Sequence, residues 1–181
     1  MRITRQLATL ALAAIASTSA VGFTVSSPVS AAPSAESALT WLEGELNDNG
    51  GSLLFPPSPF PASIDWGLTI DAILALHNGG RGADAQATAS TAALAASIND
   101  YITGESFGDT GSHYAGPIGK SMLVATLQGA SPNDFGGVDL EALSRAAMVP
   151  SGIHAGRFSD VSLFGDFSNG FGQALNILAL S

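Results

Sequence analysis

The 181-residue sequence contains no cysteine, and only six lysine and arginine residues stand against fifteen aspartate and glutamate residues. Without cysteine the chain can form no disulfide, no thiolate metal site, no cysteine nucleophile and no internal thioester. The shortage of basic residues argues against nucleic acid or an anionic membrane as the main partner, because both are bound through clustered Lys and Arg. Charged residues make up 12% of the chain and apolar residues 46%, which argues against intrinsic disorder.

The N-terminal 31 residues have the pattern of a secretory signal peptide. Two arginines form a basic region, a ten-residue apolar run follows, and small residues end at Ala31. Ten apolar residues are too few to span a bilayer, which requires about 20. We therefore predict a signal peptide over 1–31 and a secreted domain over 32–181, either free or associated with the cell wall, with no membrane contact after cleavage. An uncleaved anchor is the alternative.

Aromatic and apolar landmarks recur along the chain at a spacing of about 52 residues. Three phenylalanines are separated by 52 and 51 residues, at Phe55, Phe107 and Phe158. Three apolar segments end 51 and 53 residues apart, at Leu76, Leu127 and Leu180. Agreement between landmarks of different kinds indicates tandem copies of one structural unit. The sequence therefore predicts three repeats, over 35–80, 84–130 and 138–181.

Each repeat is predicted to contain two helices of different character. The first helix is amphipathic, with charged residues on one face, and is predicted over 35–46, 84–101 and 138–147. The second helix is apolar on nearly all sides, which indicates burial, and is predicted over 67–78, 117–128 and 169–180. No long alternating run of β-branched residues indicates a strand. The pattern predicts an all-α protein, an α/α toroid or part of one, with charged helices outside and apolar helices inside.

Three short segments, over 65–69, 129–140 and 167–175, resemble secreted actinobacterial proteins with prenyltransferase/squalene-cyclase-type repeats. The resemblance extends over 35–181 and implies an α/α toroid of about six helix pairs, with a cavity at the mouth of the inner helices. Only three pairs are present in this chain, and the last predicted helix has no C-capping signal. We therefore expect either a half-ring that pairs with a second copy or a chain that lacks its C-terminal half.

The catalytic motifs of the enzymes that this family resembles are absent from the sequence. Squalene-type cyclases protonate an alkene with an Asp-x-Asp-Asp motif, and no such cluster of carboxylates occurs here. Protein prenyltransferases use a zinc site with a cysteine ligand, which this chain cannot provide. The three histidines show no metal-ligand spacing. We therefore predict no cofactor and no metal site.

Candidate binding residues lie around the starts of the predicted inner helices. Asp65 and Thr69 are four residues apart, as are Asn169 and Gln173, so each pair shares one face of its helix. Polar side chains recurring at one level of an apolar layer are what a binding cavity requires. The full candidate set consists of Asp65, Trp66, Thr69, His113, Tyr114, Lys120, Asp166, Asn169 and Gln173.

Several of these candidates also have a purely structural interpretation. Asp65 is placed to cap a helix, and Trp66 to pack in the core. Lys120 lies at the same depth as Asp71 of the preceding repeat, so the two are predicted to form either an internal ion pair or a pair that faces a ligand.

The sequence favours a secreted, non-catalytic binding module for an apolar small molecule or a macromolecular partner. This prediction depends on the combination of an apolar inner layer, a polar rim and no recognisable catalytic set. The alternative is an enzyme acting on a terpenoid or a polysaccharide, with two carboxylates among Asp65, Asp109 and Asp166 as acid and base. A further alternative is a fragment of a larger toroid protein.

Overall fold

The computed structural model describes residues 34–55 and 62–181, and the predicted signal peptide lies outside these residues. The described residues are 59% helical and contain no β-strand, so the predicted all-α fold is confirmed. The helices are α1 (Ala35–Asp48), α2 (Trp66–Leu76), α3 (Ala85–Ala96), α4 (Ile98–Ile102), α5 (Ala115–Leu127), α6 (Leu140–Ala146) and α7 (Gly170–Leu180). None of the described helices is both long enough and apolar enough to cross a membrane.

Four of the helices begin at a residue whose side chain caps the first turn. The oxygen atoms of Ser34, Asp65, Asp139 and Asn169 accept hydrogen bonds from backbone N–H groups that have no partner within the helix. The helix predicted over 84–101 is divided, because the backbone of Ser97 leaves the helical region and separates α3 from α4.

The apolar core is centred on α2 and α5. α2 packs against α3 and α5, while α5 also packs against α4, α6 and α7. Removing these apolar side chains from water supplies the main driving force for folding in a chain without disulfides. The central buried cluster consists of Trp66, Ile70, Ile73, Leu94, Ile98, Ile102, Ile118, Met122, Val124, Ala125, Phe135 and Leu140. A second cluster, which attaches α1 to α2 and α3, consists of Leu46, Ala72, Leu76 and Ala87.

α5 and α7 lie very close together because small residues face each other at their crossing. A Cβ atom on Gly172 would lie 3.1 Å from the Cα atom of Gly116. Asn176, which is fully buried, donates hydrogen bonds to the carbonyl oxygens of Ala115 at 2.8 Å and Gly172 at 2.9 Å. The Ser144 hydroxyl of α6 donates to the Asn176 amide oxygen at 2.6 Å, so one side chain connects three helices.

One expectation about the repeats is wrong. α7 was expected to be buried on most sides, but only Gly172, Leu175 and Asn176 are buried, and its apolar outer face is exposed. The three phenylalanines that mark the repeat spacing also differ in environment, because Phe158 is buried whereas Phe55 and Phe107 are exposed. Similar spacing therefore does not give these positions the same neighbours.

Candidate functional site

The candidate residues predicted from the sequence fall into two groups in the structure. Asp65, Trp66, Thr69 and Lys120 surround the start of α2. His113, Tyr114, Asp166, Asn169 and Gln173 lie around the starts of α5 and α7.

The residues at the start of α2 make contacts that stabilise the fold. Asp65 Oδ1 accepts the Leu68 N–H at 2.9 Å, and Trp66 lies in the central buried cluster. Thr69 is fully buried; its hydroxyl donates to the Asp65 carbonyl at 2.7 Å and accepts the Leu53 N–H at 2.8 Å. These three side chains therefore serve to cap α2, to bond the backbone or to pack in the core.

Lys120 pairs with Asp71 as predicted, but the pair is not internal, because the Asp71 side chain is 56% exposed. Its Nζ lies 2.7 Å from Asp71 Oδ1 and donates to the Gly67 carbonyl at 2.8 Å, and only 8% of the residue is exposed. Burial raises the pKa of the neighbouring Tyr101 above its ordinary value, and the negative charges of Asp71 and Asp65 act in the same direction.

Two loops meet at the start of α5, and backbone hydrogen bonds join them. The His113 N–H donates to the Val161 carbonyl at 2.9 Å, and the Val161 N–H donates back at the same distance. Tyr114 is the residue immediately before α5, and its N–H donates to the Ile102 carbonyl at 2.9 Å. These bonds place the loop over 103–114 beside the loop over 159–169.

Asp109 is a fully buried carboxylate between these loops. Its Oδ2 accepts the Tyr114 hydroxyl at 2.7 Å, and its Oδ1 accepts the Leu163 N–H at 2.8 Å. Burial alone would raise the pKa of Asp109, but the hydrogen bonds from Tyr114, Ser162 and Leu163 outweigh it and hold the pKa below the ordinary value. Burial and the bond to Asp109 raise the pKa of the Tyr114 hydroxyl.

Asp160 caps α5 from a different segment of the chain. Tyr114 has no side-chain oxygen that bonds the first turn, and Asp160 Oδ1 accepts the Ala115 N–H at 2.8 Å instead. Its other oxygen accepts the Phe167 N–H at 3.2 Å. The carboxylate therefore satisfies a free helix N–H and holds the loop against α5.

Asp166 and Gln173 hold the same loop from its other side. Asp166 Oδ1 accepts the N–H groups of Asp160 and Ser168, and its Oδ2 pairs with Arg157 at 2.8 Å. Burial opposes ionisation of Asp166, yet these hydrogen bonds and the guanidinium lower its pKa to about 2. The Gln173 amide exchanges two hydrogen bonds with the backbone of Phe158, at 2.8 and 2.7 Å.

The loops and the start of α5 enclose an open cleft of about 360 Å³ that we call the phenylalanine cleft. It is lined by Phe107, Tyr114, Gly116, Pro117, Asp160, Phe164, Phe167, Ser168 and Asn169. The three phenylalanines are exposed, at 63%, 62% and 65%. Tyr114 and Asn169, two of the sequence-predicted candidates, therefore line a cavity together, while Asp166 and Gln173 support its wall.

Sequence reasoning missed Phe164 and Phe167 and treated Phe107 only as a repeat landmark. The sequence did contain a signal that these rings are exposed, because Phe164 and Phe167 lie in a Gly- and Ser-rich stretch without helical periodicity. Aromatic residues in such a loop have no helix face to bury.

A larger depression of about 610 Å³ lies at the C-terminal ends of α2 and α5. Its lining includes His77, Thr88 and Gln128 but no Phe, Tyr or Trp and none of the candidate residues. Within residues 34–55 and 62–181, no three His, Asp or Glu side chains are grouped so that they could hold a metal ion.

Comparison of the chain with protein-family models, with curated proteins and with solved structures gives no match.

Proposed function

We propose that this chain is a secreted, non-catalytic binding module whose phenylalanine cleft holds a small molecule with an apolar body. The observation that carries the proposal is the exposure of Phe107, Phe164 and Phe167 around one concave surface. Exposing an aromatic ring to water costs free energy, and burying the ring against a ligand recovers that cost. Small-molecule sites are concave and mostly apolar, with a few polar groups that orient the ligand.

The surroundings of the cleft support rigid binding. Asp109 and Asp160 each accept a backbone N–H of the loop that carries Phe164 and Phe167, and Gln173 holds the backbone of Phe158 just before it. A wall held in this way loses little conformational entropy when a ligand enters, which favours affinity.

We further propose that the three helix pairs form part of an α/α toroid with α2, α5 and α7 in its inner layer. Contacts of α5 with both α2 and α7 support this arrangement, as does the burial of most of α2 and α5. The phenylalanine cleft then lies at one end of the inner layer, where α5 and α7 begin.

The alternative is an enzyme that uses two carboxylates among Asp65, Asp109 and Asp166. Each of these three accepts a backbone N–H, so each has a structural use. The lowered pKa values of Asp109 and Asp166 keep both ionised near neutral pH, where a general acid must hold a proton. If Asp65 is one of the two, Asp65→Asn abolishes turnover of an identified substrate, and unchanged turnover rejects that assignment.

Native mass spectrometry of the purified chain, combined with titration of the neutral fluorescent probe N-phenyl-1-naphthylamine, tests the proposal. We expect a retained ligand or saturable probe binding that is lost in the double variant Phe164→Ser/Phe167→Ser. Trp41→Ser is the matched control, because it removes an equally exposed aromatic ring from α1.

The proposal is wrong if the double variant binds the probe as the unmodified chain does. It is also wrong if Trp41→Ser abolishes binding, since the ligand would then lie on the surface of α1. Far-UV circular dichroism of each variant verifies that the helices are retained.

A further inference from the structure

The phenylalanine cleft combines aromatic rings with carboxylates that no basic side chain pairs with among residues 34–55 and 62–181. Asp160 lines the cleft, and Asp109 lies directly behind Tyr114. Neither carboxylate takes part in an ion pair among the described residues. Both accept hydrogen bonds only from N–H and O–H groups, which stabilise the charge without cancelling it.

Each of the four Lys and Arg side chains among the described residues forms an ion pair, and one of these pairs borders the cleft. Arg81 pairs with Glu36 and Glu43, Lys120 with Asp71, and Arg145 with Glu141, all away from the cleft. Arg157 borders the cleft, because it donates to the hydroxyl of the lining residue Ser168 at 2.8 Å, and its charge is paired with Asp166.

One further positive contribution comes from the start of α5. The unsatisfied N–H groups of a helix N-terminus carry about half a positive charge. Asp160 accepts the first of these N–H groups, from Ala115, and its full negative charge exceeds that partial charge. The local field at the cleft therefore favours a cation, as does the formal charge of −9 on the whole chain.

The aromatic rings favour the same kind of ligand. The face of a phenyl or phenol ring carries partial negative charge, and ammonium groups bind over such faces. Phe107, Tyr114, Phe164 and Phe167 all line the cleft. Several rings around one concave surface, with carboxylates behind them, form the environment in which substituted ammonium ions are bound.

We propose that the ligand of the phenylalanine cleft is a cation with an apolar body, such as an alkyl-substituted ammonium ion. The rings would contact the apolar body and the methyl groups on nitrogen, while Asp160 and Asp109 supply the attracting charge. An anion of the same shape would meet the Asp160 carboxylate in the wall, with the buried Asp109 charge behind Tyr114, and be rejected. This inference rests on the proposed binding function and adds the charge of the ligand to it.

Calorimetric titration with three probes of equal chain length tests the inference. These are octyltrimethylammonium, octyl glucoside and octyl sulfate, each below its critical micelle concentration. We expect the ammonium probe to bind at least tenfold more tightly than the glucoside, and the sulfate to bind most weakly. Raising the salt concentration from 20 to 500 mM should reduce the preference for the ammonium probe, because salt screens the attraction to Asp160, which is partly exposed.

A conservative variant separates attraction to the rings from general apolar contact. Phe164→Leu/Phe167→Leu keeps apolar side chains at both exposed positions and removes the aromatic faces. We expect the Kd of the ammonium probe to rise by about two- to fivefold per ring, and the Kd of octyl glucoside to change by less than twofold.

The possible outcomes distinguish the two proposals. If the glucoside binds as tightly as the ammonium probe, or the sulfate binds more tightly, the cation inference is wrong and the binding function stands. If no probe binds at the cleft, both are wrong. If the leucine variant raises the Kd of the ammonium probe and of octyl glucoside by the same factor, the aromatic faces have no special role in binding the cation.

Discussion

At the scale of single residues, short polar side chains hold the loops of this cysteine-free chain in place. Asp109, Asp160 and Asp166 each accept at least one backbone N–H from the segment over 160–168. Gln173 fixes the backbone of Phe158 just before that segment. A carboxylate or amide that accepts buried N–H groups removes the free-energy cost of leaving them unsatisfied.

We predict that acidification destabilises the fold through Asp166. Its folded-state pKa of about 2 lies below the ordinary value of 3.8, so ionised Asp166 stabilises the fold above about pH 4. That contribution is lost as the pH falls from about 4 to 2. We expect a loss of about 1–2 kcal/mol in the free energy of unfolding, allowing for screening at a side chain that is 30% exposed.

Urea unfolding at pH 6, 4, 3 and 2 measures this effect. Asp166→Asn serves as the control, because it cannot titrate and should show a smaller fall in stability over the same pH range. Identical pH dependence of the two proteins would contradict the prediction.

At the scale of elements, the crossing of α5 and α7 depends on glycine. Gly116 and Gly172 face each other, and a Cβ on Gly119 would lie only 2.6 Å from Asn176 Nδ2. The close approach lets Asn176 reach the Ala115 carbonyl of α5. A pair of larger residues would separate the helices and break this buried hydrogen bond.

Two glycines of α7 are predicted to respond in opposite ways to alanine. In Gly172→Ala the added methyl group meets the backbone of Gly116 at 3.1 Å, and we expect a loss of about 1–2 kcal/mol in the free energy of unfolding. In Gly170→Ala nothing lies within 4 Å, and we expect a gain of up to about 1 kcal/mol.

Chemical denaturation of both variants measures the difference. Because the two positions lie in the same helix, they share its intrinsic preference for alanine over glycine, and the contrast isolates packing. Equal stabilities of the two variants would show that α5 and α7 can separate without cost.

At the scale of the whole molecule, large apolar side chains are exposed on α7 and also on α1 and α2. Phe171, Ile177 and Leu178 are exposed on α7, while Trp41 of α1 and Leu68 of α2 are exposed elsewhere. Soluble monomers rarely expose large contiguous apolar patches, and those that do commonly use them for binding. In the toroid that we propose, the α7 surface is the one on which a further inner helix would pack.

We predict that the domain over 32–181 associates with itself through the outer face of α7. Sedimentation velocity over a hundredfold range of concentration should show a species larger than the monomer. Phe171→Gln/Leu178→Gln should shift the distribution toward the monomer, because it removes apolar area without touching the buried residues of α7.

The matched control for association is Phe164→Gln/Phe167→Gln, which removes two exposed phenylalanines at the phenylalanine cleft. We expect this variant to associate as the unmodified chain does. A monodisperse monomer at every concentration would contradict the prediction.

Local signals predicted much of the helical framework. The Asp65 cap and the Asp71–Lys120 pair follow from sequence spacing, and both are present in the structure. The burial of α5 also follows from its continuous apolar character. The failure for α7 has a physical cause, because an apolar helix is buried only where another element is available to cover it.

The phenylalanine cleft could be predicted only in part. Tyr114 and Asn169 were identified from their positions before inner helices, but Phe164 and Phe167 were not. Asp109 was considered as an acid or base, and the structure shows it buried, accepting hydrogen bonds from Tyr114 and Leu163. The Leu163 N–H that bonds Asp109 belongs to a residue 54 positions further along the chain.

The sequence by itself determined the fold class, the absence of disulfides and the approximate positions of the helices. These properties depend on composition and on the periodicity of neighbouring residues, because interactions between residues close in the chain determine where helices form. Only the tertiary structure decided which carboxylates are buried, which face of α7 stays exposed, and which rings meet in the phenylalanine cleft. Those properties depend on contacts between residues far apart in the chain, and their partners become defined only when the helices pack.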